Sequence, residues 1–173
     1  MSKTRLLLFG LTALLISVVF AVQVLVGDQE PPKLAGSRPS METLSIDFLQ
    51  ALEGGDEDAI RQLALSKEQF AEFVWPELPA SDPSTNLNVD WVWNQMHMRS
   101  LVDLSTAVFS NTGRHYDFVD FRFAEEVEEY RTYKVHRDAR LKVVDENGEE
   151  IELNLFGSVL EMDDEFKIFS FVR

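Results

Sequence analysis

The amino-acid sequence predicts an α+β domain that follows an apolar N-terminal segment. Helix caps and helix-spaced apolar residues occupy residues 41–111, whereas runs rich in aromatic and β-branched residues occupy residues 115–172. A chain in which the helices come first and the strands last is typical of a domain whose helices pack on one face of a curved antiparallel sheet. The roughly 130 residues that follow the apolar segment and its linker suit one domain with one core.

The N-terminal segment has the features of a membrane anchor. Residues 6–27 are 22 mostly apolar residues, preceded by Lys3 and Arg5, and this length spans a bilayer core as a helix. No small-x-small cleavage site precedes Gly27, which favours an uncleaved signal anchor, with a cleaved signal peptide as the alternative. The positive N-terminus places the domain on the non-cytoplasmic side. Cleavage would leave the domain secreted or periplasmic.

Residues 28–40 are rich in Pro, Gly and Ser and are predicted to be a flexible linker before a domain of residues 41–173. Ser40 is the expected cap of the first helix, and Asp56 opens a second one after Gly54-Gly55. Ser66 opens a third helix, with Gln69 completing a capping box. The longest helix is predicted for residues 89–111.

The C-terminal third of the chain is predicted to form five short strands in an antiparallel meander. The predicted strands are Phe118–Phe123, Val127–Val135, Ala139–Val144, Ile151–Leu160 and Phe166–Val172.

The turn at Asn147-Gly148 allows two registers. A two-residue turn would place apolar residues opposite polar ones, whereas a three-residue loop of residues 146–148 aligns the buried face. The three-residue loop pairs three apolar residues with apolar partners. These pairs are Val143 with Ile151, Leu141 with Leu153, and Ala139 with Leu155.

Composition excludes some functions. Asp and Glu number 30 against 16 Lys and Arg, a net charge of −14, so nucleic-acid binding is not expected. The chain has no cysteine, and its three histidines lack zinc-site spacing. We therefore predict neither a metal site nor a cofactor.

The element order and the segment Leu49-x-x-Leu52-x-Gly54-Gly55-Asp56-x-x-Ala59-Ile60 resemble the NTF2-like superfamily, over residues 41–173. This resemblance implies a cone-shaped, cystatin-like α+β fold whose sheet wraps around a pocket lined by the long helix. Members include isomerases, dehydratases, transport adaptors and inert binding modules, so the resemblance does not define a function.

The candidate pocket residues are Trp93, His97, Leu101 and Tyr133. Trp93, His97 and Leu101 recur on one face of the long helix, which should meet the sheet and leave His97 mostly buried. His115 and Asp117 are a second candidate pair, but a strand separates such residues by about 7 Å, which argues against direct contact.

Two functions stay open. The favoured one is a non-catalytic binding or assembly module, held at a membrane through residues 6–27, for a small apolar ligand or a protein partner. The alternative is a small enzyme of the isomerase, dehydratase or cyclase type, in which His97 exchanges protons with an Asp or Tyr partner. A homodimer is a further alternative.

We predict that the full-length protein stays with membranes after salt and alkaline washing, because some 20 apolar residues do not leave lipid. The measurement is the partition of the protein between pellet and supernatant. A soluble protein whose mature N-terminus lies between residues 22 and 30 would contradict the anchor.

Overall fold

The structure is a computed structural model that describes residues 34–171. Helices pack against an antiparallel sheet, as the order of the sequence patterns predicts. The predicted signal anchor or signal peptide, residues 1–27, lies outside the described residues. The helices are α1 (Met41–Gly54), α2 (Glu57–Leu63), α3 (Lys67–Gln69) and α4 (Val89–Asn111).

The helix boundaries follow the predicted caps. The Ser40 hydroxyl accepts a hydrogen bond from the first turn of α1, and Gly55 ends that helix in the left-handed conformation at φ 64°. Asp56 caps α2, and Ser66 and Gln69 form the predicted capping box of α3. These contacts satisfy backbone groups that a helix end would otherwise leave unpaired.

The chain after α3 stays helical but changes pitch. A π turn over Phe70–Val74 is followed by a 3₁₀ turn over Trp75–Glu77, and Pro76 prevents a regular helix from continuing. Two further 3₁₀ turns, Pro79–Ser81 and Pro83–Thr85, lead to α4.

The strands of the sheet are β1 (Tyr116–Phe123), β2 (Glu128–Glu129), β3 (Lys134–Asp145), β4 (Glu150–Met162) and β5 (Glu165–Phe171). Their order in the sheet is β1-β3-β4-β5, with the short β2 also paired to β3.

The predicted strand over residues 127–135 is wrong in extent, because it is split: Glu128 and Glu129 form β2, while residues 134 and 135 begin β3 and pair with them. The chain turns back at once: the Tyr130 amide donates to the Tyr133 carbonyl at 2.9 Å. The Glu77 carboxylate accepts hydrogen bonds from the Arg131 amide and the Thr132 hydroxyl, both at 2.6 Å. A carboxylate from a distant segment therefore stabilises a turn where β propensity predicted a strand.

The β3–β4 hairpin has the predicted three-residue loop. The Asp145 amide donates to the Glu149 carbonyl, Gly148 adopts φ 78°, and Val143 pairs with Ile151. Farther from the loop the register departs from prediction, because Ala139 pairs with Phe156 instead of Leu155. A bulge in β4 inserts one residue there, next to Asp138 at φ 51°.

The core consists of two hydrophobic clusters, both contacted by α4. The first contains α1 and α2 residues with Leu104, Ala107 and Val108 from the C-terminal half of α4. The second contains Leu65 and the π turn with Trp93 from the N-terminal half. Each cluster packs on a different part of β3 and β4.

The flexible linker predicted for residues 28–40 does not extend to residue 40. Residues 34–40, which we call the N-terminal strap, pack on the domain: Leu34 is 2% exposed, and Arg38 exchanges two backbone hydrogen bonds with Phe166. The Arg38 guanidinium also pairs with Asp47 of α1. Composition predicted a linker because it does not reveal that the open edge of β5 offers these hydrogen bonds.

Lys167 is buried at the junction of β5, α2 and α3. Its ammonium donates to the Ala64 carbonyl at 3.0 Å and to Gln69 Oε1 at 2.8 Å. Neither acceptor is a carboxylate, so burial, reinforced by the nearby charge of Arg38, lowers the pKa of Lys167 to about 8.

We expect a pH dependence of stability from Lys167. Its folded-state pKa lies below the unfolded value of about 10.4, so the folded protein binds fewer protons between these values and gains stability as pH rises. Relative to Lys167→Met, the wild-type free energy of unfolding should rise by about 2 kcal/mol between pH 7.5 and 9.5. Urea denaturation measures this difference.

Lys142→Met is the matched control, because Lys142 is an exposed lysine on β3 paired with Glu150. Its pH profile should parallel that of the wild type. A parallel profile for Lys167→Met as well would contradict a depressed lysine pKa.

Candidate functional site

A cavity of about 280 Å³ lies beside α4, and we call it the α4 cavity. Three segments form its walls: the middle of α4, the connection from α2 to α3, and the end of β5. Its lining residues include Arg61, Ala64, Leu65, Ser66, Lys67, Trp93, Met96, His97, Ser100, Leu101, Leu104, Phe169, Ser170 and Phe171.

The cavity lies where α4 passes from one core cluster to the other. Trp93 is buried in one cluster and Leu104 in the other. Between them, His97 and Ser100 are only half-buried. Apolar side chains at these two positions would join the clusters. His97 and Ser100 instead stay half-buried, because burying a polar group without a partner is costly.

Ser100 also connects the helix to the sheet, because its hydroxyl oxygen accepts a hydrogen bond from the Phe171 amide at 3.0 Å. This bond anchors the end of β5 against α4. Phe171 in turn packs on Phe48 of α1, with ring centroids 6.3 Å apart. The cavity wall is therefore tied to the core at this end.

His97 stacks on Trp93, with ring centroids 4.9 Å apart and ring planes at 19°. Burial, together with the positive charge of Arg61, lowers the pKa of His97. This shift favours the neutral imidazole, which offers one donor and one acceptor. Within residues 34–171, no carboxylate or tyrosine lies within hydrogen-bond distance of its ring.

The polar edge of the cavity is cationic. Arg61 pairs with Glu57 at 2.8 Å and Lys67 pairs with Asp90 at 2.9 Å. The hydrogen bond and charge of Asp90 raise the pKa of Lys67. Both cations are substantially exposed, so an anionic group at the cavity mouth could share them with their present partners.

Three of the four predicted pocket residues line this cavity: Trp93, His97 and Leu101. Tyr133 does not. It is 3% exposed within the second core cluster, where its hydroxyl donates to the Val74 carbonyl at 3.3 Å. Burial raises the pKa of this phenol. Its place in the core cluster and its hydrogen bond indicate a structural role for Tyr133.

The predicted separation of His115 and Asp117 is wrong, because their side chains approach to 3.3 Å. His115 precedes β1, so strand spacing does not apply to it. Its other ring nitrogen lies 3.0 Å from the Glu53 carboxylate at the end of α1. The Glu53 hydrogen bond, with help from Asp117, raises the pKa of His115. All three side chains are exposed and lie outside the α4 cavity.

The sequence reasoning missed the walls contributed by residues 61–67 and 169–171. Their apolar members, such as Leu65 and Phe171, are typical of any core. The two segments meet at the cavity because the Leu65 amide donates a hydrogen bond to the Ile168 carbonyl. Local sequence patterns do not encode this contact between distant segments.

Comparison with protein-family models, with curated proteins and with solved structures found no match to this chain. Within residues 34–171, no three metal-ligating side chains are grouped so that they could hold an ion. In the same range no helix combines the length and apolarity needed to cross a membrane.

We predict that His97→Phe leaves the free energy of unfolding within about 1 kcal/mol of wild type, because shape is roughly kept and no protein hydrogen bond is lost. Trp93→Ala, one turn away, should cost about 3–5 kcal/mol because it leaves a cavity in the second core cluster. Urea denaturation compares the two. Equal losses would show that His97 is a core residue and not a cavity residue.

Proposed function

We propose that this chain is a non-catalytic binding module, tethered to a membrane or exported, whose α4 cavity takes a small apolar ligand. The observation that carries the proposal is the cavity itself: an apolar floor, a neutral imidazole and a cationic edge in an otherwise acidic protein. Sites for small molecules typically combine an apolar lining with a few placed polar groups.

The volume limits the ligand. A cavity of about 150 Å³ in another protein holds benzene, so 280 Å³ suits a molecule about the size of a fused bicyclic ring. Leu65, Leu104 and Phe169 provide apolar contacts, while Arg61 and Lys67 favour a carboxylate or similar anion on the solvent side. The expected ligand is therefore a small apolar molecule that carries one anionic group, such as an aromatic or aliphatic acid.

The wider setting of this module belongs to the same proposal. We infer an NTF2-like cone from the order of the helices and strands, with the long helix along its pocket. Residues 6–27 would be the anchor, uncleaved or removed as a signal peptide, and the domain would face the non-cytoplasmic side. The apolar run and the basic residues before it support this orientation.

The alternative of a small acid–base enzyme receives less support. Proton transfer by His97 would require a carboxylate or tyrosine within reach, or one supplied by the ligand. Its nearest aromatic partner is Trp93, and the charged group that lowers its pKa is Arg61. This environment favours a histidine that orients a ligand by hydrogen bonding.

Binding of 2-naphthoate to the full chain tests the proposal. We expect chemical-shift changes at the amides of His97 and Ser100, and an NMR titration with the ligand measures them. Ala64→Phe should weaken binding at least tenfold, or about 1.4 kcal/mol, because the new ring occupies the cavity. The neutral 2-naphthylmethanol should bind more weakly than the acid, since it cannot pair with Arg61 and Lys67.

Ala71→Phe is the control, because Ala71 is a half-buried alanine of the π turn that does not line the cavity. It should bind 2-naphthoate as the wild type does. Equal affinity in the wild type and Ala64→Phe would refute a ligand site in this cavity.

A further inference from the structure

A second apolar face of α4 is exposed. Trp91 is 55% exposed, Met98 63%, Val102 50% and Phe109 90%. Large apolar side chains at such exposure are costly when grouped, and a contiguous apolar patch marks a contact surface. These four residues lie on one helix, away from its core-facing side.

The spacing of this face is that of a coiled-coil seam. The residues Trp91, Gln95, Met98, Val102, Ser105 and Phe109 are separated alternately by four and three positions. This alternation is the a/d pattern that packs one helix against another. We call these six residues the α4 seam.

The α4 seam is complementary to itself when it is reversed. About a two-fold axis at residue 100, Met98 lies opposite Val102 of the second copy. By the same symmetry the aromatic Trp91 meets the aromatic Phe109, and the polar Gln95 meets the polar Ser105. A C₂ interface requires this kind of matching, because each surface must fit its own copy.

The exposed area is sufficient for a dimer. Aromatic side chains present about 150–250 Å² each, so the four apolar seam residues expose on the order of 500 Å² per copy. Two copies would bring together about 1,000 Å², the size at which specific interfaces begin. Thr106, which flanks the seam, would add to this area.

From these observations we propose that two copies of this chain associate through antiparallel packing of their α4 seams. The arrangement leaves the α4 cavity free in each copy. At 100° per residue, the seam lies roughly 140° around the helix from Trp93, His97 and Leu104. Ligand binding and self-association therefore use different faces of the same helix.

Disulfide trapping tests the orientation, and the chain has no cysteine of its own to interfere. The full-length variants Gln95→Cys and Ser105→Cys are tagged differently, produced together and oxidised in the cell fraction where they accumulate. We expect a disulfide between the two variants. Gln95→Cys alone should not cross-link, because the two copies of residue 95 lie about 15 Å apart along the axis, beyond the reach of a disulfide.

A cross-link of Gln95→Cys to itself, or none between the two variants, would overturn the antiparallel dimer. The first result would indicate parallel helices. The second would indicate that another molecule or the lipid surface covers the seam.

A matched pair of variants tests the dimer without cysteine. Val102→Glu places a charge in the seam, whereas Val119→Glu places one on β1 at similar exposure, 50% against 44%. Sedimentation of the full chain in lipid nanodiscs or buffer should show loss of the dimer for Val102→Glu only, with circular dichroism confirming that both fold. A monomeric wild type, or a dimer that survives Val102→Glu, would refute the proposal.

Discussion

Helix α4 packs its N-terminal half against one hydrophobic cluster and its C-terminal half against another, and much of the structure depends on this division. Trp93 and Leu104 are buried in different clusters, so the turns between them span a gap. Two polar residues in that stretch have specific contacts: His97 stacks on Trp93 and Ser100 accepts a hydrogen bond from β5. The cavity is thus a consequence of how the helix spans two cores.

The edges of the fold are closed by polar contacts that reach across the chain. The N-terminal strap covers the edge of β5 through Arg38, and Lys167 joins β5 to α2 and α3 through uncharged acceptors. Burying an unpaired cation is costly, which explains why the pKa of Lys167 falls. This lysine holds together the segments that also form the cavity wall, so stability and site geometry are coupled there.

Two apolar faces on one helix explain why α4 could serve two purposes. One face meets the core and the cavity, while the other remains exposed between Trp91 and Phe109. The net charge of −14 opposes nonspecific aggregation through an exposed apolar stripe. In our proposals, ligand binding uses the first face and self-association the second.

The sequence by itself determined the features that depend on neighbouring residues. Helix caps at Ser40 and Asp56 and the loop of the β3–β4 hairpin form as predicted, because each is decided within a few residues. Three of the four predicted cavity residues follow from helical spacing alone. Only the tertiary structure decided the packed strap, the turn held by Glu77 and the burial of Tyr133. Each of these results from hydrogen bonds or packing between segments far apart in the chain, which local patterns cannot specify.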